Sequence, residues 1–500
     1  MTSFIQGFLL AISPSCLLAI VVGSIGGVII GALPGLSSTL GVALLIPFTY
    51  GLEPVTAMGL LGGMYCSSIY GGSITAILLN TPGTGAAAAT CLDGYPLTQQ
   101  GHAAKALLTA IYSSFVGGII STITLMLIAP QLAKIALMFG PPETFMLGVF
   151  GLTIIASVSG KDMVKGLLSA LIGLLLSTIG FEAVTGYPRF CFGNINLYEG
   201  IALVIAIVGF FSIPEALTLV QKGRGNNSFY GKIDLKGDKL TKTEIRHLIP
   251  IWIRSAVIGT MIGIIPGVGT PVACFVSYNE AKRSSRHPEK FGTGMIEGVA
   301  APEAANNAVE GGSFVPLLTL GIPGSSQTAV YLGALMILGI QPGPMLFQKQ
   351  GDLVYAIMLG LILANIVMLL IGRFGIRGFL AIIRMPVEVI IPIIFVFTLV
   401  GSFAVSSNIF DVELMFVLGL AGYLMKLNGL PLAPTVLAMI LGPIGEEALI
   451  QSIQITHGRL LIIFSRPICI VLLVLTIVSL AITFRQNKKT DSVPEKGDKK

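Results

Sequence analysis

Long apolar stretches, interrupted by short runs of glycine, proline and hydroxyl residues, occupy almost the whole chain. Segment 15–33 stops at Pro34-Gly35-Leu36-Ser37-Ser38-Thr39 and resumes as 40–50. Segment 251–265 stops at Pro266-Gly267-Val268-Gly269-Thr270-Pro271 and resumes to about 281. Similar breaks recur at Asn80-Thr81-Pro82-Gly83-Thr84-Gly85 and at Gly321-Ile322-Pro323-Gly324-Ser325-Ser326-Gln327-Thr328. A full crossing takes roughly 20 apolar residues, and the arms 15–33 and 251–265 fall short of it. The pattern predicts helices that are broken or re-entrant rather than plain spans.

The breaks pair up between two halves of the chain. Gly31-Ala-Leu-Pro34-Gly35 aligns with Gly263-Ile-Ile-Pro266-Gly267, an offset of 232. Gly71-Gly72-Ser73 aligns with Gly311-Gly312-Ser313 at 240, and Pro82-Gly83-Thr84 with Pro323-Gly324-Ser325 at 241. Pro142-Glu143 resembles Pro386-Val-Glu388. Landmarks in the same order with slowly drifting offsets indicate a duplication. The expected organisation is a first membrane repeat at 1–220, a polar linker at 221–247, a second repeat at 248–464, and an extra helix with a basic tail at 465–500.

Charge adds a direction. Lysine and arginine collect at 222–246, at Lys282, Arg283, Arg286 and Lys290, and in the tail from Arg485 to Lys500. The positive-inside rule places all three in the cytoplasm. The equivalents of 282–290, near 50–55, carry no positive residue, and the equivalents of Lys161 and Lys165 carry none either. Equivalent loops then face opposite sides, as in inverted-topology repeats. Glu446–Glu447 reads as a solvated helix end.

Composition narrows the class. The 500 residues are 54% hydrophobic and 11% charged, with mean hydropathy +0.88, against about 25% charged in soluble domains. The fold class is an all-α polytopic membrane protein, with room for on the order of ten or more crossings. No GxxxxGK[ST] is present, so the chain carries no ATP motor. There is no HExxH, the four histidines are far apart, and the six cysteines lie scattered in apolar context without a CxxC pair. They read as buried small hydrophobes. The +6 charge is local, so nucleic acid is not implied. The N-terminus lacks a basic n-region, so a cleaved signal peptide is not expected.

Irregular backbone at membrane depth is tolerated where it lines a cavity or is buried in protein. Each break leaves helix ends with unpaired amides and carbonyls. N-terminal ends suit an anion, and carbonyl ends suit Na+ or a proton-bearing partner. The candidate substrate-binding residues are therefore Pro34, Gly35, Ser37, Ser38, Thr39, Asn80, Thr81, Gly83, Thr84, Pro266, Gly267, Gly269, Thr270, Pro323, Gly324, Ser325, Ser326, Gln327 and Thr328. No basic residue lies at any break, so a carboxylate would be held by amides and hydroxyls. The competing explanation for any single Gly or Ser is close helix packing.

Just ahead of the last break, Glu297, Glu303, Asn306, Asn307 and Glu310 interrupt small apolar residues. At helical spacing Glu303 and Asn307 share a face, and Asn306 and Glu310 the neighbouring one. Intramembrane carboxylates mark ion or proton pathways. Glu303, Asn306 and Asn307 are the expected ion-coupling group, with a structural polar network as the alternative.

The runs GALPGLSSTLGVALLIPFTYGLEP, GGSITAILLNTPGTGAAAAT, FVSYNEAKRSSRHPEKFGTGMIEGVAAPEAANNAVEGGSFVPLLTLGIPGSSQTAV and LGIQPGPMLF resemble the large membrane subunit of the tripartite tricarboxylate transporters, over about residues 7 to 467. The resemblance implies a permease of the bacterial inner membrane, working with a small four-helix membrane subunit and a periplasmic solute-binding protein that delivers the carboxylate. Uptake would be a symport driven by an Na+ or H+ gradient, with no other cofactor and no enzyme activity. It implies a di- or tricarboxylate substrate, citrate-like, without selecting one. The carry-over falls on Pro34–Thr39, Asn80–Thr84, Pro266–Thr270 and Gly321–Thr328, with Ala300–Asn307 beside them. A stand-alone carboxylate carrier, a membrane scaffold and an intramembrane enzyme are the alternatives. The enzyme lacks a nucleophile–base pair or metal-ligand set.

Overall fold

The computed structural model describes residues 2–33, 36–158, 163–182, 186–222, 240–266, 269–375, 378, 387–459 and 466–490. Among the described residues 81% are helical. It opens with α1 (Thr2–Ala11), α2 (Pro14–Gly31), α3 (Ser38–Thr49), α4 (Pro54–Leu79), α5 (Ala88–Gln99) and the long α6 (Ala103–Ala136). Then come α7 (Pro141–Val158), α8 (Met163–Ser177), a minimal antiparallel pair of β1 (Gly180–Phe181) and β2 (Pro188–Arg189), and α9 (Leu203–Lys222). The second half runs through α10 (Lys242–Ile264), α11 (Thr270–Ser284), α12 (Ile296–Leu320), α13 (Ser326–Ile337), α14 (Pro344–Lys349) and α15 (Gly351–Phe374). It ends in α16 (Val387–Ser406), α17 (Ile409–Leu427), α18 (Leu432–Ile455) and α19 (Pro467–Thr490). Six of these, α2, α6, α9, α10, α15 and α18, are long and apolar enough to cross a membrane. The chain is a multi-pass, all-α membrane protein.

All four sequence breaks interrupt helices, at α2/α3, α4/α5, α10/α11 and α12/α13. The arm expected at 251–265 is longer than its apolar run, because a capping box at Thr241 and Glu244 starts α10 inside the polar stretch. Residues 223–239 of the expected linker lie outside the described residues.

Packing divides the chain into two units, one of Met1–Ala136 with Ile207–Tyr423, the other of Leu137–Ala206 with Leu424–Lys500. Each takes a piece from both sequence halves. In the second unit α18 packs on α7 and α8, and α19 on α7. Arg466 there holds the buried Glu143 through both carboxylate oxygens at 3.1 Å. Glu446 and Glu447, expected at a solvated helix end, lie instead inside α18, and Arg189 holds Glu446 bidentately at 2.6 and 3.1 Å.

The first unit is built on α4 and α12, which are buried around nearly their whole circumference. Both are rich in Gly, Ala and Ser, and their partners approach as closely as backbone allows. A Cβ at Gly31 of α2 would lie 2.2 Å from the Ser68 carbonyl oxygen of α4, and one at Gly263 of α10 would lie 2.6 Å from the Val309 oxygen of α12. The two helix pairs therefore repeat one contact, and the duplication is visible in the packing. The contact also corrects the register. A Cβ at Gly71 would approach Gly31 Cα at 2.8 Å and one at Gly312 would approach Gly263 Cα at 3.0 Å, so Gly71 matches Gly312 and the offset in these helices is 241, not 240. α6 and α15 close the unit, packing on α12 and α4, with Tyr70, Ile74, Leu107, Ile111, Val299 and Met368 in the core between them.

Asp93 of α5 is fully buried and fixes the start of α12. Its Oδ1 accepts from the N–H groups of Gly292, Gly294 and Met295 at 2.9, 2.9 and 2.8 Å, and its Oδ2 from the Tyr278 hydroxyl at 2.8 Å. A carboxylate at a helix N-terminus also meets the positive end of the helix dipole. Asp93→Ala orphans these donors and is expected to destabilise the protein by about 3 kcal/mol. Asp93→Asn, which keeps an acceptor oxygen, is expected to cost less. Thermal unfolding of the detergent-purified variants checks both, and equal midpoints for wild type and Asp93→Ala would contradict the clamp.

Candidate functional site

Each break ends in a newly started helix, and local chemistry explains each start. Ser37 is extended, and its Oγ accepts from the Leu40 N–H at 3.1 Å, capping α3. Ser325 and Thr328 cap α13 reciprocally, Ser325 Oγ accepting from the Thr328 N–H at 3.2 Å and Thr328 Oγ1 from the Ser325 N–H at 2.8 Å. Thr84 Oγ1 accepts from the Ala87 N–H at 3.3 Å, ahead of α5. Gly269 precedes α11, whose first turn contains Pro271, a residue without an N–H to leave unpaired. On the other side of the second and fourth breaks, α4 and α12 stop at left-handed residues, Asn80 (φ 55°) and Gly321 (φ 72°).

The turns are tied down by two matched approaches. A Cβ at Gly83 would lie 2.6 Å from the Gly31 oxygen and 2.7 Å from Gly72 Cα. At Gly324 the same distances, 2.6 and 2.7 Å, separate it from the Gly263 oxygen and Ser313 Cα. Only glycine fits there.

The four helix starts surround one cavity of about 290 Å³. Its walls include Leu36, Ser37, Ser38 and Thr39 from the first break, and Gly83, Thr84, Gly85 and Ala86 from the second. Gly269, Thr270 and Pro271 come from the third, and Ser325, Ser326 and Gln327 from the fourth, with Ile69, Glu215 and Asn306 completing the lining. The starts come together across the repeats, since α3 packs on α13 and α5 on α11. This creates two poles. One carries Ser37, Ser38, Thr39, Ser325, Ser326 and Gln327; the other carries Thr84 and Thr270.

Two lining groups bond to no protein atom although both residues are 1% exposed: the Ser38 hydroxyl and both polar atoms of the Asn306 amide. Buried polar groups ordinarily find partners, so these two point to a polar occupant. Tyr65, next to the cavity, bonds through its hydroxyl to Ser325 Oγ at 3.2 Å.

Other expected site residues play different parts. Asn80 and Thr81 are exposed and do not line the cavity; Thr81 bonds back to the Leu79 carbonyl at 3.2 Å. Pro266 is half-buried, and Pro323, Gly324 and Thr328 are buried in the turn that supports Ser325. Pro34, Gly35 and Gly267 lie outside the described residues. Among the expected coupling residues only Asn306 reaches the cavity. Asn307 donates to the Cys66 carbonyl at 3.3 Å, and Glu303 accepts from Ser73 at 2.6 Å, Ser114 at 3.0 Å and Thr90. Glu215 on α9, the one ionisable group among the described lining residues, was not among the expected site residues. Its signal was a carboxylate inside the apolar run 203–222.

Residues 17–437 match the family described as the tripartite tricarboxylate transporter TctA family. An uncharacterised 52.8 kDa protein from Agrobacterium vitis, described as lying in the TAR-I ttuC' 3' region, is 38% identical over 467 residues, 93% of each chain. A second uncharacterised protein of the same organism, in the TAR-II ttuC' 3' region, is 36% identical over 220 residues, 44% of this chain and 91% of that one. No solved structure matches the chain significantly.

Proposed function

This chain belongs to the tripartite tricarboxylate transporter TctA family, and from that premise we propose that it is the permease subunit that carries a di- or tricarboxylate across the inner membrane. The observation that carries the reading is the convergence of four helix N-termini on one cavity, where the Ser38 hydroxyl and the Asn306 amide bond to no protein atom. Helix N-termini present N–H groups and partial positive charge, a means of holding an anion where, among the described residues, no lysine or arginine lines the cavity. Two poles, each built from one helix start of either repeat, suit a substrate with more than one carboxylate.

A periplasmic solute-binding protein would deliver the substrate, and a small four-helix membrane subunit would complete the assembly. Equilibrium binding of labelled carboxylates to the purified chain tests the reading. Di- and tricarboxylates are expected to bind, and their neutral esters are not; equal binding of acid and ester would overturn it.

The proposed orientation places the 282–290 loop in the cytoplasm. Lys290 is exposed, so a cysteine introduced there is expected to react with a membrane-impermeant thiol reagent only after the cells are opened. Labelling in intact cells would reverse the topology.

A further inference from the structure

We propose that Glu310, with Asn307 and Cys66 around it, binds the single positive charge that accompanies the substrate, either a proton or a sodium-sized cation. This deepens the permease reading and rests on it for the purpose of the charge, though not for its binding. Two carboxyls lie in the interior of α12, and both are fully buried. They are not alike. The oxygens of Glu303 are taken by hydroxyl donors on three other helices, Ser73 of α4, Thr90 of α5 and Ser114 of α6. Such a carboxylate is a cross-link with little acceptor capacity left.

Glu310 has far fewer donors. Its Oε1 accepts from the Cys66 thiol at 2.6 Å, and its Oε2 receives no hydrogen bond from the protein. Asn365 of α15 is the other donor within reach of the carboxylate, and its Nδ2 is shared with the Leu361 carbonyl at 2.9 Å and the Cys66 sulfur at 3.7 Å. Asn307 precedes Glu310 by three residues on the same helix, and its Nδ2 donates to the Cys66 carbonyl while its Oδ1 is likewise unpartnered. Asn307 Oδ1 and Glu310 Oε2 are thus held near Cys66, unpartnered and fully buried. The titratable groups facing Glu310 are Cys66 and Tyr65 of α4 and Tyr331 of α13. α6 brings Ser121 against the adjoining Gly311. Among the described residues no lysine, arginine or histidine bonds to Glu310.

A bare carboxylate in such surroundings is costly, and one positive charge from solution removes the cost. A proton would form an O–H bond on Oε2 and return to solvent on release; a cation would take oxygens of Glu310 and Asn307 as ligands. The place is also suited to coupling. Asn306, one helical turn before Glu310, lines the cavity, and Tyr65, beside Cys66, bonds Ser325 in the cavity wall.

Difference infrared spectroscopy of the purified full-length chain tests this without any substrate. One arm adds NaCl against choline chloride at fixed pH, and the other steps the pH in the absence of sodium. Wild type is expected to show a carboxyl or carboxylate band change in one arm, which identifies the charge as sodium or proton. Glu310→Gln is expected to lose that band and Glu303→Gln to keep it. Asn307→Ala is expected to weaken the apparent affinity for the charge roughly tenfold, which keeps the test open if Glu310→Gln does not fold. Survival of the band in Glu310→Gln, an unaltered affinity in Asn307→Ala, or no carboxyl response in either arm would overturn the proposal. A band lost in Glu310→Gln alongside a chain that binds no carboxylate would leave the charge site standing and the permease reading refuted.

Discussion

Asn306→Asp is expected to lower carboxylate affinity about a thousandfold. Asn306 lines the cavity and both polar atoms of its amide are buried and free of protein partners, so its Nδ2 is available to donate to an arriving carboxylate. The substitution keeps the shape, removes that donor and sets a negative charge in the wall. Two like charges about 4 Å apart repel by about 4 kcal/mol at an effective dielectric constant near 20. That is roughly three powers of ten in affinity. Asn306→Ala removes the donor without adding charge and is expected to cost only about tenfold. The order Asp far worse than Ala distinguishes an anion site from one for a neutral ligand, where Asp and Ala would behave alike. Titration calorimetry on the purified variants checks it.

Gly324→Ala, and equally Gly83→Ala, is expected to reduce uptake about tenfold to a hundredfold while the chain still inserts. An added methyl at Gly324 would sit 2.6 Å from the Gly263 oxygen and 2.7 Å from Ser313 Cα, distances that carbon does not reach without movement of backbone. Overpacking of this kind costs about 1–3 kcal/mol. The strain falls on the turn that presents Ser325, Ser326 and Gln327 to the cavity, so it is spent on site geometry. Gly360→Ala in α15 is the control, since a Cβ there meets nothing within 4 Å. Its uptake is expected to match wild type. Whole-cell uptake normalised to membrane-inserted protein reads all three, and normal uptake by Gly324→Ala would show that the turn has slack.

The four breaks were legible because Pro-Gly pairs followed by hydroxyl residues stand out inside apolar runs, and because they recur in order in both halves. Their meeting at one cavity was a consistent extension of that pattern. The cross-repeat pairing of α3 with α13 and α5 with α11 was not legible, since it depends on contacts between distant segments. The one-residue slip at Gly71-Gly72-Ser73 has a simple cause. Identical letters favour an offset of 240, whereas the backbone approach of Gly31 and Gly263 fixes 241. Glu215 escaped notice because α9 has no break of its own and reaches the cavity only through tertiary packing. The difference between Glu303 and Glu310 was equally hidden. The donors that fill Glu303 come from α4, α5 and α6, none adjacent to it in sequence.

The cavity between the four helix starts is the proposed seat of the carboxylate. The most direct test is an experimental structure of the chain with a bound di- or tricarboxylate. Carboxylate oxygens are expected within hydrogen-bond reach of Ser38, Asn306 and the first-turn N–H groups of α3 or α13. A carboxylate bound elsewhere, with this cavity unoccupied and the Asn306 amide still without a partner, would contradict it.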